Sequence, residues 1–310
     1  MMGNTFYFGW EVELMEWIQS WAGPAWVRVF SFLTMFGEQL LMIAVMGFLY
    51  WGVDKKAGRR LGLYIITITV WNPLVKNIFL RRRPYFDHPG IRCLHPVSKE
   101  ADIYDIAAQG YSFPSGHSSD AMGLFGGLAR CKKARWSVTL AVIMPLLVGI
   151  SRIALGVHYP TDVLAGWALG ALAVAVIELL DDRIRDKRLL YLLLALIGST
   201  GWFYCDSNDF YTGYGMMLGV MAGLLFEEKY VRFQNTDSAV RRVLRLAGGV
   251  ALYFGLNALL KLPFPASVLD AGDFTAHLIR ASRYTVITFV MAGAYPMLFA
   301  VTARVGRKKT

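Results

Sequence analysis

Residues 136–180 read WSVTLAVIMPLLVGISRIALGVHYPTDVLAGWALGALAVAVIELL. Two apolar runs, Trp136–Val157 and Thr161–Leu180, flank a short polar break. Each run is close to the roughly 20 residues a helix needs to cross a hydrocarbon core. Arg152, Asp162 and Glu178 are the formal charges in the stretch. The pattern predicts two membrane-spanning helices joined by a tight connection.

Working outward, similar runs fall near Val29–Trp51, Leu61–Leu80, Phe113–Arg130, Leu189–Tyr204, Gly213–Phe226, Val243–Leu260 and Arg283–Arg304. The expected fold is therefore all-α, a polytopic transmembrane bundle of about nine spans. Composition agrees: of 310 residues, 55% are hydrophobic and 17% charged. Average soluble domains carry about 25% charge, so a soluble fold and a disordered chain are both disfavoured. Three cysteines are too few for a disulfide scaffold. Phe8–Trp21 mixes aromatic and acidic residues and is expected to lie in the membrane interface. No cleavable signal peptide is expected. The layout predicts an interfacial segment at 1–28, a core at 29–182 and additional helices at 183–310.

Basic residues set the expected orientation. They gather at Lys55–Arg60, Arg130–Arg135, Arg183–Arg188, Lys229–Arg245 and Arg304–Lys309. With nine spans all of these fall on one side, which is predicted to be cytoplasmic together with the C-terminus. The N-terminus falls outside. The net charge of +10 then reflects topology, and nucleic acid is a poor partner.

Several cations break that rule on the outer side, in three clusters at helix ends. Lys76 and Arg83 are two helical turns apart, just before Pro84, and could clamp a phosphoryl group. The competing reading is cations snorkelling at a span end. Ser112–Asp120 (SFPSGHSSD) reads as a helix start, where free N–H groups make an anion site around Ser115 and Gly116. His117 would then stand ready to give or take a proton, against a reading of plain capping. In the third cluster, Arg152 precedes His158 and Asp162. A carboxylate four residues on can hold one imidazole nitrogen and leave the other to attack. The competing reading is an interfacial histidine beside an N-terminal acid.

Together the clusters spell K-x6-R-P, P-S-G-H and S-R-x5-H-x3-D, and the chain resembles the type 2 phosphatidic acid phosphatase superfamily. The outer N-terminus and nine-span layout are similar to the branch with glucose-6-phosphatase and sphingosine-1-phosphate phosphatase. The resemblance implies a membrane-embedded phosphatase that uses no cofactor and no metal. His158 would attack phosphorus and form a phosphohistidine, Asp162 would orient it, and His117 would protonate the leaving group. Lys76, Arg83, Ser115, Gly116 and Arg152 would hold the phosphate. The implied substrate is a lipid phosphate monoester taken from the membrane lipids on the extracytoplasmic or lumenal face. A lipid diphosphate, a soluble sugar phosphate or phosphotransfer stays open as an alternative, as does a non-catalytic transporter. The oligomeric state is not readable.

Outside the motifs, Arg81 and Arg82 are expected to be solvated snorkelling cations, or contacts for a second phosphate. The long loop Asp87–Gly110 would shape the mouth, with His88 and His95 solvated. A Cys93–Cys205 bridge is conceivable in an oxidising compartment.

Overall fold

A computed structural model of the chain describes residues 3–299. The described residues are helical, with no β-strand; one isolated bridge joins Asn4 to Arg81. In chain order the helices are α1 (Gly9–Trp21), α2 (Pro24–Thr34), α3 (Gln39–Phe48), α4 (Lys55–Phe79), α5 (Pro84–Asp87), α6 (Ile106–Gln109), α7 (Gly116–Ala121) and α8 (Gly127–Lys132). There follow α9 (Arg135–Ala154), α10 (Pro160–Arg183), α11 (Lys187–Ser199), α12 (Asn208–Phe226), α13 (Ala239–Leu259), α14 (Ala266–Leu269) and α15 (Phe274–Phe289). Helix starts follow local chemistry: Pro24 and Pro160 open α2 and α10, and the Ser115, Asp186, Ser238 and Asp273 side chains cap α7, α11, α13 and α15. A π-helical turn over Met122–Gly126 joins α7 to α8.

Nine spans are not confirmed. Among the described residues, α9 and α10 are long and apolar enough to cross a membrane, and α2 with α3 makes a third if that bent pair is one span. The other expected spans coincide with helices, but α11 and α15 have only 13 and 16 residues, and polar residues such as Asn72 and Lys76 interrupt the apolar run of α4. The run Arg283–Arg304 and the basic residues Arg304–Lys309 extend outside the described residues.

By packing, the chain forms two units. The first comprises Met1–Met42, Trp71–Leu179 and Phe203–Ser207; the second comprises Ile43–Val70, Leu180–Trp202 and Asn208–Thr310. In the first, α1 presents Glu11, Met15, Ile18 and Gln19 on one helical face, and all four are buried. Met15, Ile18 and Ala22 join Phe30, Tyr85, Leu155 and Tyr159 in one apolar cluster. Complete burial of Met15 is worth roughly 1.5–3 kcal/mol. A neighbouring side of α1 leaves Trp10, Trp17 and Trp21 exposed. Val138, Val142, Ile143, Leu146 and Ile150 of α9 are also exposed, an apolar surface suited to lipid rather than water.

In the second unit α12 packs on α15 through small residues. A Cβ on Gly215 would lie 2.2 Å from the Ala281 carbonyl oxygen, and one on Gly219 would lie 2.1 Å from Thr288 Oγ1. This close approach lets Thr285 Oγ1 donate to the Gly215 carbonyl at 3.0 Å and Thr288 Oγ1 to the Met216 carbonyl at 3.1 Å. Elsewhere in this unit the buried Glu227 carboxylate pairs with Lys55 at 2.6 Å.

Candidate active site

The three sequence clusters meet within the first unit, on ends of different helices. Lys76 stands in the last turn of α4, Arg83 caps the start of α5, and Ser115 caps α7. Arg152 lies in the last turn of α9, and Asp162 in the first turn of α10. His158 sits between them in the connection 155–159. Gly156 makes that connection possible. Its φ of +77° is disfavoured for other residues, and a Cβ there would lie 2.1 Å from the Arg92 carbonyl oxygen.

His158 is 2% exposed. Arg83 reaches it with Nη1 3.4 Å from His158 Nε2, while the same Nη1 donates to the Val157 carbonyl at 2.9 Å. Arg83 Nε donates to the carbonyls of Gln109 and Gly110 at 2.9 and 3.1 Å, which fixes the guanidinium. Burial holds the His158 imidazole well below its ordinary range, and the nearby charges of Arg83, Arg152 and Lys76 add to this. His117 acts on it in the same way. Arg83 is thus within reach of the ring, and the charges of Arg152, Lys76 and His117 act on it in the same direction.

The segment at the start of α7 is tied to the histidine segment by backbone. Ser115 N–H donates to the Asp162 carbonyl at 2.9 Å. Ser118 Oγ lies 2.9 Å from Ser115 Oγ. α10 crosses this turn closely: a Cβ on Gly166 would lie 2.6 Å from the Ser115 carbonyl oxygen. Arg152 is 1% exposed and donates from Nη1 to Thr34 Oγ1 at 2.9 Å, leaving its buried Nε without a partner. Gly116 and His117 are partly exposed. An unpaired buried guanidinium N–H beside a helix start can receive a phosphoryl oxygen.

Asp162 differs from the sequence expectation in its partners. Its Oδ2 lies 3.5 Å from His158 Nδ1, longer than a hydrogen bond, and Nδ1 has no hydrogen-bond partner. Oδ2 instead accepts from the Tyr159 N–H at 2.8 Å, and Oδ1 accepts from Arg81 Nη1 at 2.6 Å. Arg81 is no snorkelling cation: it is 1% exposed and also pairs with Glu11. Arg82 pairs with Asp87. His88 is not solvated either, since it packs edge-on to Tyr7 and Tyr159. His95 is partly buried, and that burial lowers its basicity, with Arg152 adding to the effect. Cys93 carries a free thiol, so the Cys93–Cys205 bridge is not formed. Among the described residues, no group of three or more His, Cys, Asp or Glu is placed to hold a metal ion.

Glu11 is the polar residue that the sequence reading passed over. Its position in the helical series Glu11, Met15, Ile18 was the available signal, because a lone acid in a buried stripe needs a partner.

Residues 57–185 match the PAP2 superfamily, and residues 211–307 match the PAP2 superfamily phosphatase, transmembrane extension. The undecaprenyl-diphosphatase BcrC of Bacillus subtilis is 32% identical over 166 residues, covering 53% of this chain and 69% of that protein. The chain belongs to the PAP2 superfamily. With its transmembrane extension and apolar helices, this PAP2 chain is an integral membrane protein. Phosphatidylglycerophosphatase B of B. subtilis is 37% identical over 87 residues, covering 25% of this chain and 43% of that relative. The PAP2 chain therefore matches less than half the length of that protein. A crystal structure of a transmembrane PAP2 type phosphatidylglycerolphosphate phosphatase from B. subtilis aligns with a TM-score of 0.43 and 26% identity, covering 57% of this chain and 86% of that one.

Proposed function

We propose that this chain is a membrane-embedded phosphatase that hydrolyses a lipid phosphate monoester through a phosphohistidine, without a metal. The observation that carries the reading is the arrangement around the buried His158: Arg83 Nη1 stands 3.4 Å from its Nε2, the Ser115 N–H is bonded to the Asp162 carbonyl at 2.9 Å, and Lys76 and Arg152 stand in the last turns of α4 and α9. In the proposed reaction His158 Nε2 attacks phosphorus and the ester P–O bond breaks. The negative charge of the bound phosphate favours the His117 imidazolium, which gives its proton to the departing alkoxide. The resulting neutral His117 then takes a proton from water, which attacks the phosphohistidine, releases phosphate and restores His158. The three cations and the α7 N-terminus stabilise the charge that grows on the phosphoryl oxygens. Lys76, Arg83 and Arg152 stand at helix ends, where the headgroup of a membrane lipid would reach them. The site is placed on the extracytoplasmic or lumenal face, with the N-terminus outside and the C-terminus in the cytoplasm. Supporting this, the basic residues Arg130–Arg135 and Arg183–Arg188 lie at the opposite ends of α9 and α10 from His158.

A lipid diphosphate is the second reading, favoured by the name of the BcrC relative. Phosphate release by detergent-purified protein across lipid monophosphates, lipid diphosphates and soluble esters, with and without chelator, tests both. Release from a lipid monoester, undiminished by chelator, is the expected result. Release from a soluble ester alone, or only with added metal, overturns it. In sealed right-side-out vesicles phosphate is expected outside; accumulation inside would overturn the sidedness alone.

A further inference from the structure

We propose that Arg81, held by Glu11, is a positioning residue for Asp162, which makes the N-terminal helix α1 part of the working site. This rests on the phosphatase reading above. Arg81, Glu11 and Asp162 are 1%, 0% and 0% exposed. One guanidinium bridges two carboxylates: Nη1 to Asp162 Oδ1 at 2.6 Å and Nη2 to Glu11 Oε2 at 3.0 Å. Its remaining contacts fix its plane. Nε donates to the Phe6 carbonyl at 2.7 Å, Nη1 donates to Thr161 Oγ1 at 2.8 Å, and the group stacks 3.9 Å over the Tyr159 ring. Glu11 is held in turn by the Thr161 hydroxyl and N–H at 2.6 and 3.0 Å and by the Phe8 N–H at 2.9 Å.

Stability alone is a weak reason for such an arrangement, because burying three charges costs more desolvation than an apolar substitute would. Its geometry suits a different purpose. Arg81 alone would neutralise Asp162 and leave little charge for His158, whereas sharing the guanidinium with Glu11 leaves the group of three with net negative charge. That charge lies beside His158 Nδ1, 3.5 Å away, where it can support the imidazole as it becomes cationic on phosphorylation. Thr161 and Tyr159, the immediate neighbours of Asp162 and His158, are gripped by the same network, so α1 also fixes where the carboxylate points.

The test uses the full chain in detergent. Glu11→Gln is expected to lower kcat about 10- to 100-fold per folded molecule, as a small misplacement of reacting groups does, while leaving KM near wild type; the unfolding midpoint falls as well, because a buried partner of Arg81 is lost. Arg81→Lys, which keeps the charge, is expected to retain more kcat than Arg81→Ala. A Glu11→Gln enzyme within about twofold of wild-type kcat would overturn the proposal. So would a loss of activity that merely tracks loss of folded protein. If Arg81→Ala does not fold, Glu11→Gln carries the decision. A wild-type chain inactive on every phosphate ester defeats the phosphatase reading first. An active wild type, an inactive His158→Ala and an unchanged Glu11→Gln defeat this inference alone.

Discussion

In the proposed reaction His158 carries the chemistry, and its surroundings make a statement about pH. Burial and the nearby Arg83, Arg152 and Lys76 disfavour the imidazolium, so the neutral, nucleophilic form persists as pH falls through the ordinary histidine range near 6.5. A depressed value moves the acid limb of activity downward. The acid limb of kcat/KM, which reports the free enzyme, is therefore expected below about pH 6.5, and a limb at or above that value would contradict the described site. The motif residues stood out in the sequence by type and spacing, but not by a shared helix: α4 ends at Phe79, so Arg83 lies beyond it in extended backbone, and His158 precedes the start of α10 at Pro160. The fates of Arg81 and Arg82 were not legible. Adjacent and alike in sequence, one is buried between two carboxylates and the other pairs with Asp87 at partial exposure. Glu11, the partner that makes the difference, lies 70 residues away, and no local pattern encodes such a distant contact.

Among the elements, α12 illustrates why apolar runs are an incomplete guide to spans. Its glycines weaken the hydropathic signal, yet Gly215 and Gly219 are where α15 approaches most closely. Small residues there serve helix contact, with threonine hydroxyls bonding across it. Gly219→Val is expected to destabilise the solubilised protein by at least about 1–3 kcal/mol, the cost of overpacking. Gly255→Ala, at a position with no atom within 4 Å of an added Cβ, serves as the control. Equal unfolding midpoints for the two variants would contradict this packing. α1 shows the converse limit. Its mixed composition points to an interfacial helix, and its exposed Trp10, Trp17 and Trp21 suit that place. Composition could not show that a neighbouring face is locked to the Asp162 region through Glu11.

At the scale of the molecule, the all-helical class was readable because it rests on local periodicity, and the three motifs stood out by their short spacings. The number of spans was not readable, because length and hydropathy single out α9 and α10 among the described helices, with α2–α3 as a bent third. The net charge of +10 separates into basic connections that set orientation and a few cations gathered around His158. The central claim is that those cations serve a covalent phosphoryl transfer to His158. Its most direct test is a base quench of the purified chain during turnover of a lipid monoester labelled with phosphorus-32. The account predicts an acid-labile, base-stable label on wild-type protein and none on His158→Ala. Turnover with no labelled protein, or a label that survives in His158→Ala, would contradict it.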